Sequence, residues 1–157
     1  MAAGAAGIGS FLAAAVFGRI LHEMVNYVQH YGLVRAEDAP IQPRHSWDSC
    51  RFLSSALQYN LPRHADHHMY GCKSFWELKT FADSPKLPHG YQVMSLIALH
   101  GPSWRRRIDP LLADWDRRLA DEVERSLVRE RGWTIDSSIF EQSTEHSCNL
   151  DSLPYRS

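Results

Sequence analysis

AAGAAGIGSFLAAAVFGRILHEMVNYV, residues 2–28, carries no charge before Arg19. Whether this stretch is a membrane helix decides the fold. An α-helix rises about 1.5 Å per residue, so about 27 residues reach about 40 Å, enough to cross a hydrocarbon layer of roughly 30 Å. Its many Ala and Gly residues make it only modestly apolar, but they allow helices to approach closely in a bundle. A signal peptide would place Lys or Arg ahead of the apolar run, and none precedes it here. A core helix of a soluble protein would pass the same length test. The reading expects a membrane-embedded helix over about residues 5–31, with Gly32 as its terminator.

The second half of that helix is not plain lipid-facing material. His22, Asn26 and His30 recur at i, i+4 and i+8, with Glu23 and Tyr27 beside them, so they share one broad face. Polar and ionisable groups are costly in lipid. They face a bundle interior and mark function, unless the helix has already left the membrane by Met24.

Beyond it, AEDAPIQPR (residues 36–44) is a loop because Pro40 and Pro43 prevent regular structure. Ser46 or Asp48 could cap a helix through WDSCRFLSSALQYN, where Phe52, Leu53, Ala56 and Leu57 make an apolar face. Pro62 either kinks that helix or opens a new one; residues 63–69 are expected to be helical in both cases. KSFWELKTFA (73–82) reads as a short amphipathic piece. QVMSLIAL (92–99) is apolar but too short to span a bilayer. Trp104 followed by Arg105, Arg106 and Arg107 reads as an interfacial anchor. Residues 109–130 are charged and rich in helix formers, with Leu111, Leu112, Trp115, Leu119 and Val123 on one stripe. The fold class is therefore mostly α and membrane-associated. Residues 1–131 form one unit: a membrane helix over about 5–31, a histidine-bearing helix over about 46–70, and interfacial or cytosolic helices over 73–131. Residues 132–157 lack periodicity and read as a tail without order.

The formal net charge is −1, so no global basic field points to nucleic acid. The three cysteines include no CxxC pair, so a zinc or rubredoxin-type iron site in this chain is not expected. Histidine is the outlier, and NLPRHADHHMYG (residues 60–71) concentrates it. On a helix His64, His67 and His68 stand at i, i+3 and i+4 and meet on one face. As cations they would repel; as neutral ligands they suit a divalent metal of the Zn, Fe, Ni or Cu group. Asp66 could orient a ligand through its other ring nitrogen. HExxH, the zinc-protease pattern, is absent. One helical turn cannot complete a site, so further ligands must come from elsewhere: His30 first, then His45 and His22. The bland alternative is a surface helix with solvated histidines.

NYVQHYGLVR (26–35), HSWDS (45–49) and LPRHADHH (61–68) together resemble the C-terminal motifs of the alkane 1-monooxygenases, whose patterns run approximately NYxEHYGL, HSWNS and LQRHSDHH. The likeness continues through FADSPKLPHGYQVMSLIAL and SWRRRIDP, covering roughly residues 8–118. Gln29, Asp48, Pro62 and Ala65 depart from the usual Glu, Asn, Gln and Ser, and His22 stands where an apolar residue is usual. The resemblance implies an integral-membrane, histidine-rich non-haem diiron hydroxylase of the fatty acid hydroxylase and desaturase superfamily. It makes His30, His64, His67 and His68 iron ligands, and Glu23, Asn26, His45 and Asp66 are the candidates to support them. It further implies an alkane or fatty-acyl substrate, a rubredoxin-type electron donor, and a histidine site on the cytoplasmic side. The family's remaining histidine boxes, resembling HExxH and EHxxGHH, are absent from these residues. The chain is therefore expected to be the C-terminal part of such an enzyme. The alternatives are a truncated, catalytically incompetent chain and a metal-binding protein that is not an enzyme.

Overall fold

The computed structural model describes residues 2–132; apart from Gly132 the expected tail lies outside them. Six helices follow one another: α1 (Ala2–His30), α2 (Phe52–Leu57), α3 (His64–Met69), α4 (Tyr91–Ala98), α5 (Gly101–Arg118) and α6 (Glu122–Glu130). Single 3-10 turns lie at Pro43–His45 and Phe75–Glu77. Among the described residues there is no strand, only an isolated parallel bridge between Asp48 and Lys86.

The span Gly4–His30 of α1 is long and apolar enough to cross a membrane. Ile8, Phe11, Leu12, Val16 and Phe17 on it are all exposed. A contiguous apolar surface of that size calls for lipid or other helices around it. Only the last turns of α1 pack into the rest of the chain. There Val28 joins Trp47, Tyr91, Met94, Trp104 and Ile108 in the main core. α4 lies along α1, and α5 packs on α4. α1 stops where expected: Gly32 adopts φ +74°. A Cβ there would come within 2.5 Å of Leu112 Cδ2, so both the left-handed turn and the approach of α5 require glycine.

Four features differ from the sequence reading. Residues 46–70 form two short helices, not one. Tyr59 and Asn60 both take positive φ, 50° and 59°, which ends α2. Pro62 precedes α3 and uses its carbonyl to accept Ser49 N–H at 2.9 Å. Neither Ser46 nor Asp48 caps α2, which starts from Arg51. Residues 73–82 keep only one 3-10 turn. Trp104 is not an interfacial anchor. It is buried against Tyr27 and Tyr31, with ring centroids 5.6 and 5.3 Å away, while Arg105, Arg106 and Arg107 stay exposed. The charged stretch after residue 109 breaks at Leu119, because Asp121 caps a separate α6 by accepting Glu124 N–H at 2.9 Å. That turns Val123 out to solvent.

Residues 45–49, HSWDS, are the hub. All five are buried in an irregular, largely extended segment. Trp47 N–H donates to Gln29 O at 2.8 Å and its indole N–H to Tyr31 O at 2.9 Å. Asp48 N–H donates to Pro85 O, and Leu87 N–H donates to Asp48 O, both at 2.8 Å. With the Ser49–Pro62 bond, this segment ties the end of α1, the start of α3 and the 84–87 loop together. Backbone groups buried this deeply must find partners; here the partners are the elements that bear the histidines.

Candidate metal centre

Three imidazoles converge from two of those elements. His30 closes α1, while His64 and His68 stand one turn apart on α3. Their Nε2 atoms lie 3.1 Å (His30–His64), 3.2 Å (His30–His68) and 2.8 Å (His64–His68) apart. His30 and His64 stand 34 positions apart in the chain, so the convergence is tertiary.

The donor set fits a metal ion. His30 donates through its other ring nitrogen to the backbone of His45, which leaves Nε2 with its lone pair toward the cluster. Burial first, then the neighbouring His68, His30 and His67, push His64 down to about 2. Burial and then His30 and His67 push His68 down to about 4. Both rings are neutral at pH 7, the form that ligates. Three lone pairs pointing at one centre at these separations repel unless a metal ion, or a ring proton shared as N–H···N, sits among them. Bonds of about 2.1 Å at right angles put nitrogens about 3.0 Å apart, and tetrahedral angles put them about 3.4 Å apart. The three observed separations are of the size that ligands of one shared ion require. Imidazole nitrogens suit zinc, copper, iron or nickel.

The other candidates fall in three places. His67 is exposed, its ring stacked 5.7 Å from that of His64. Its nitrogens stay outside the close cluster, which holds His30, His64 and His68. Glu23 and Asn26 lie on the exposed face of α1, and Glu23 pairs with Arg19 at 2.6 Å. His22 is exposed there too. His45 and Asp66 are buried but touch none of the cluster's nitrogens with their side chains. His45 Nδ1 accepts from Gln42 N–H at 3.0 Å, so its Nε2 carries the proton and donates to Glu124 Oε1 at 2.6 Å. Asp66 accepts from Lys73 Nζ at 2.7 Å and Lys79 N–H at 2.8 Å, anchoring α3 to the loop that follows.

Asp48 is the supporting residue whose role the sequence does not disclose. Its Oδ1 accepts the N–H of Ala65, in the first turn of α3, at 2.9 Å. Its Oδ2 accepts from Ser84 Oγ at 2.6 Å and Lys86 Nζ at 3.2 Å. It thus acts as the N-terminal carboxylate of the histidine helix from 17 residues away, a favourable place for negative charge. The one signal in the sequence is an acid set between Trp47 and Ser49 in an otherwise uncharged run. Its partners are too remote to be read.

Comparison with known proteins adds a consistent picture. A fatty acid desaturase family model matches residues 1–98. Alkane 1-monooxygenase 2 of Alcanivorax borkumensis is 36% identical over 109 residues, covering 66% of this chain and 28% of that protein. Alkane 1-monooxygenase 2 of Pseudomonas aeruginosa is 40% identical over 105 residues, 64% of this chain and 28% of that protein. The hydroxylase component of xylene/toluene monooxygenase of Pseudomonas putida is 34% identical over 129 residues, 79% of this chain and 35% of that protein. The chain therefore spans about a third or less of the length of these relatives.

Proposed function

The chain belongs to the fatty acid desaturase family, and on that footing we propose that it forms part of a membrane non-haem iron monooxygenase. Its reaction would hydroxylate the terminal carbon of an alkane or fatty-acyl chain: R–CH3, O2, two electrons and two protons give R–CH2OH and water. The observation that carries this reading is the meeting of three neutral imidazole nitrogens within 2.8–3.2 Å. Iron held by His30, His64 and His68 would supply the O2-activating redox centre. His67, beside the cluster, is the natural contribution to a second iron of a diiron pair.

The chain's own residues have defined tasks in this scheme. Asp48 and Asp66 fix α3 so that His64 and His68 present the same ring edge. The His45 backbone holds His30 so that Nε2 points inward. A groove of about 380 Å³ runs between α1 and α4, lined by Ile20, Met24, Tyr27, Ala98 and Leu99 together with Arg19, Glu23 and Ser95. The apolar part of that lining suits an alkyl chain, and Tyr27 stands one helical turn before His30. Electrons would come from a rubredoxin-type donor, and the exposed Arg105–Arg107 run offers such an acidic protein a basic landing place. The histidine site would face the cytoplasm at the end of the membrane-spanning α1.

A second reading draws on the same cluster: three close nitrogens are enough for one ion, and the chain would then bind metal without oxygenase activity. One experiment separates these. The chain is purified in detergent without oxygen, loaded with Fe²⁺, and its iron counted, then supplied with octane, a rubredoxin-type donor and O2. Octanol formation supports the monooxygenase; one tightly bound iron per chain, without product even when the remaining part of a relative is supplied alongside, supports the second reading. Iron content that is unchanged in a triple His30, His64 and His68 to Ala variant removes both.

A further inference from the structure

The cluster depends on a part of the chain beyond the matched family region, which ends at residue 98. Glu124 in α6 is 2% exposed, yet it is a charged group. Such a carboxylate needs a full set of donors, and it has them. Arg44 Nε approaches both its oxygens, at 3.0 and 2.9 Å. His45 Nε2 donates to Oε1 at 2.6 Å, and Asp121 N–H to Oε2 at 2.9 Å. Asp121 in turn takes Arg44 through Oδ2 at 2.7 Å, and Trp115 Nε1–H holds the Arg44 carbonyl at 2.7 Å.

Two of these donors, Arg44 and His45, form the 3-10 turn whose last residue receives the ring of His30 on its backbone. The path is short and continuous: Glu124 carboxylate, His45 ring, His45 backbone, His30 ring, cluster. His45 is fully used inside this path, since Gln42 N–H occupies its Nδ1 and Glu124 its Nε2. It has no nitrogen left for a metal. This accounts for a histidine that sits near the site and yet does not join it.

We propose that Glu124 is a positioning residue for the metal centre: by clamping the Arg44–His45 turn it fixes the tautomer and aim of His30. This rests on the reading that His30, His64 and His68 bind a metal. α6 is then more than a terminal helix closing a small second core of Val34, Trp115, Ala120 and Val128; it fixes the geometry of one metal ligand.

The test uses the full chain in detergent micelles with three variants. Glu124→Ala removes the clamp. Glu124→Gln keeps one oxygen to accept from His45 but sets an NH2 donor where a carboxylate oxygen accepts from Arg44 and Asp121. Val128→Ala thins the small core under α6 and removes no hydrogen bond from the Arg44–His45 turn, so it controls for stability. Two readouts are taken: Co²⁺ affinity by visible absorption, and the tautomer of His30 by ¹⁵N NMR of the metal-free chain. Loss of a group that orients a metal ligand weakens binding by about 10–100-fold. That loss is expected for Glu124→Ala, with His30 turning from one tautomer to a mixture. Val128→Ala should stay within about threefold of wild type, and Glu124→Gln should lie between it and Glu124→Ala. If Glu124→Ala does not fold, Glu124→Asp, which withdraws the carboxylate by one methylene, takes its place under the same criteria. The proposal is overturned if the Glu124→Ala variant matches wild type in both readouts, or if Val128→Ala loses as much affinity at equal stability. Should the wild-type chain bind no Co²⁺, the metal reading fails, and the His30 tautomer alone then decides the role of Glu124.

Discussion

Replacing Asp48 with Ala removes a carboxylate that three donors share, and strands the Ala65 N–H. Ala65 N–H sits in a residue of 0% exposure, Ser84 is 3% exposed, and Lys86 is left without its ion-pair partner. A buried donor left unpaired costs about 1–3 kcal/mol, and breaking a buried ion pair from one side costs about 3–5 kcal/mol. These losses overlap, since Ser84 and Lys86 also reach Phe81 O, so about 3–5 kcal/mol covers the whole. For a chain of this size that lowers the thermal midpoint on the order of 10 °C. Asp48→Asn keeps an oxygen for Ala65 but breaks the same ion pair, so it should cost less than the Ala variant by about 1–3 kcal/mol, the cost of the stranded Ala65 N–H. The assay is thermal unfolding of both variants in detergent, followed by helical circular dichroism. The pH dependence checks the cause. Burial lowers the pKa of Lys86 while Asp48 raises it, so without Asp48 the folded value falls further below that of the unfolded chain. Above it the unfolded state holds the proton that the folded state has lost, and stability rises with pH. The Asp48→Ala deficit should therefore shrink as pH climbs toward 10. A midpoint for Asp48→Ala within a degree or two of wild type, or equal losses for the Ala and Asn variants, would refute the capping argument.

His67→Ala should leave the three-nitrogen cluster intact and retain the tightest metal equivalent, whereas His64→Ala should weaken it at least 10–100-fold; isothermal titration with Co²⁺ distinguishes them. The metal-free chain should lose stability as pH falls below about 6.5, because the unfolded chain then protonates histidines that the fold holds neutral down to about 2 at His64 and about 4 at His68. The unfolded state binds more protons there, so the slope is positive in pH, at most about 1.4 kcal/mol per unit for one histidine. His64→Asn should flatten it in denaturant titrations at stepped pH. Gly32→Ala combines a left-handed backbone with the 2.5 Å clash against Leu112, and should cost about 1–3 kcal/mol, read as a lower midpoint with metal affinity reduced at His30.

The sequence shows α1 because one period and one length are enough: an uncharged apolar run and a glycine stop. It also shows His64 and His68 as neighbours, since i and i+4 is a local rule. The resemblance to the alkane 1-monooxygenases adds His30. What stays hidden is every contact made at long range. Asp48 resembles a local N-cap and proves to serve a helix 17 residues on. Trp104 resembles an interfacial anchor because Arg follows it, yet the tyrosines that bury it come from α1. Pro62 raises the question of kink or start. The answer, a break before α3, depends on Tyr59 and Asn60 entering the left-handed region, which for tyrosine no local signal announces. Glu124 closes a capping box with Asp121 inside a stretch the sequence reads as one helix, and its second use, by Arg44 and His45, comes from 80 and 79 residues away.

α3 has six residues, far below the length at which an isolated helix holds in water. Its shape is therefore imposed by Asp48 at its N-terminus, by Asp66 tied to Lys73 and Lys79, and by the buried faces of Ala65 and His64. The spacing of His64 and His68 is then a property of the fold before any ion arrives. An ion held by the three nitrogens binds the folded chain and not the unfolded one. It should stabilise the fold by about 2.7 kcal/mol at a hundredfold excess over its dissociation constant. A preformed site also binds without reordering the helix, so helical circular dichroism should be unchanged on Co²⁺ addition while the midpoint rises. A gain in helical signal on binding would show instead that the metal, and not the Asp48 hub, builds α3.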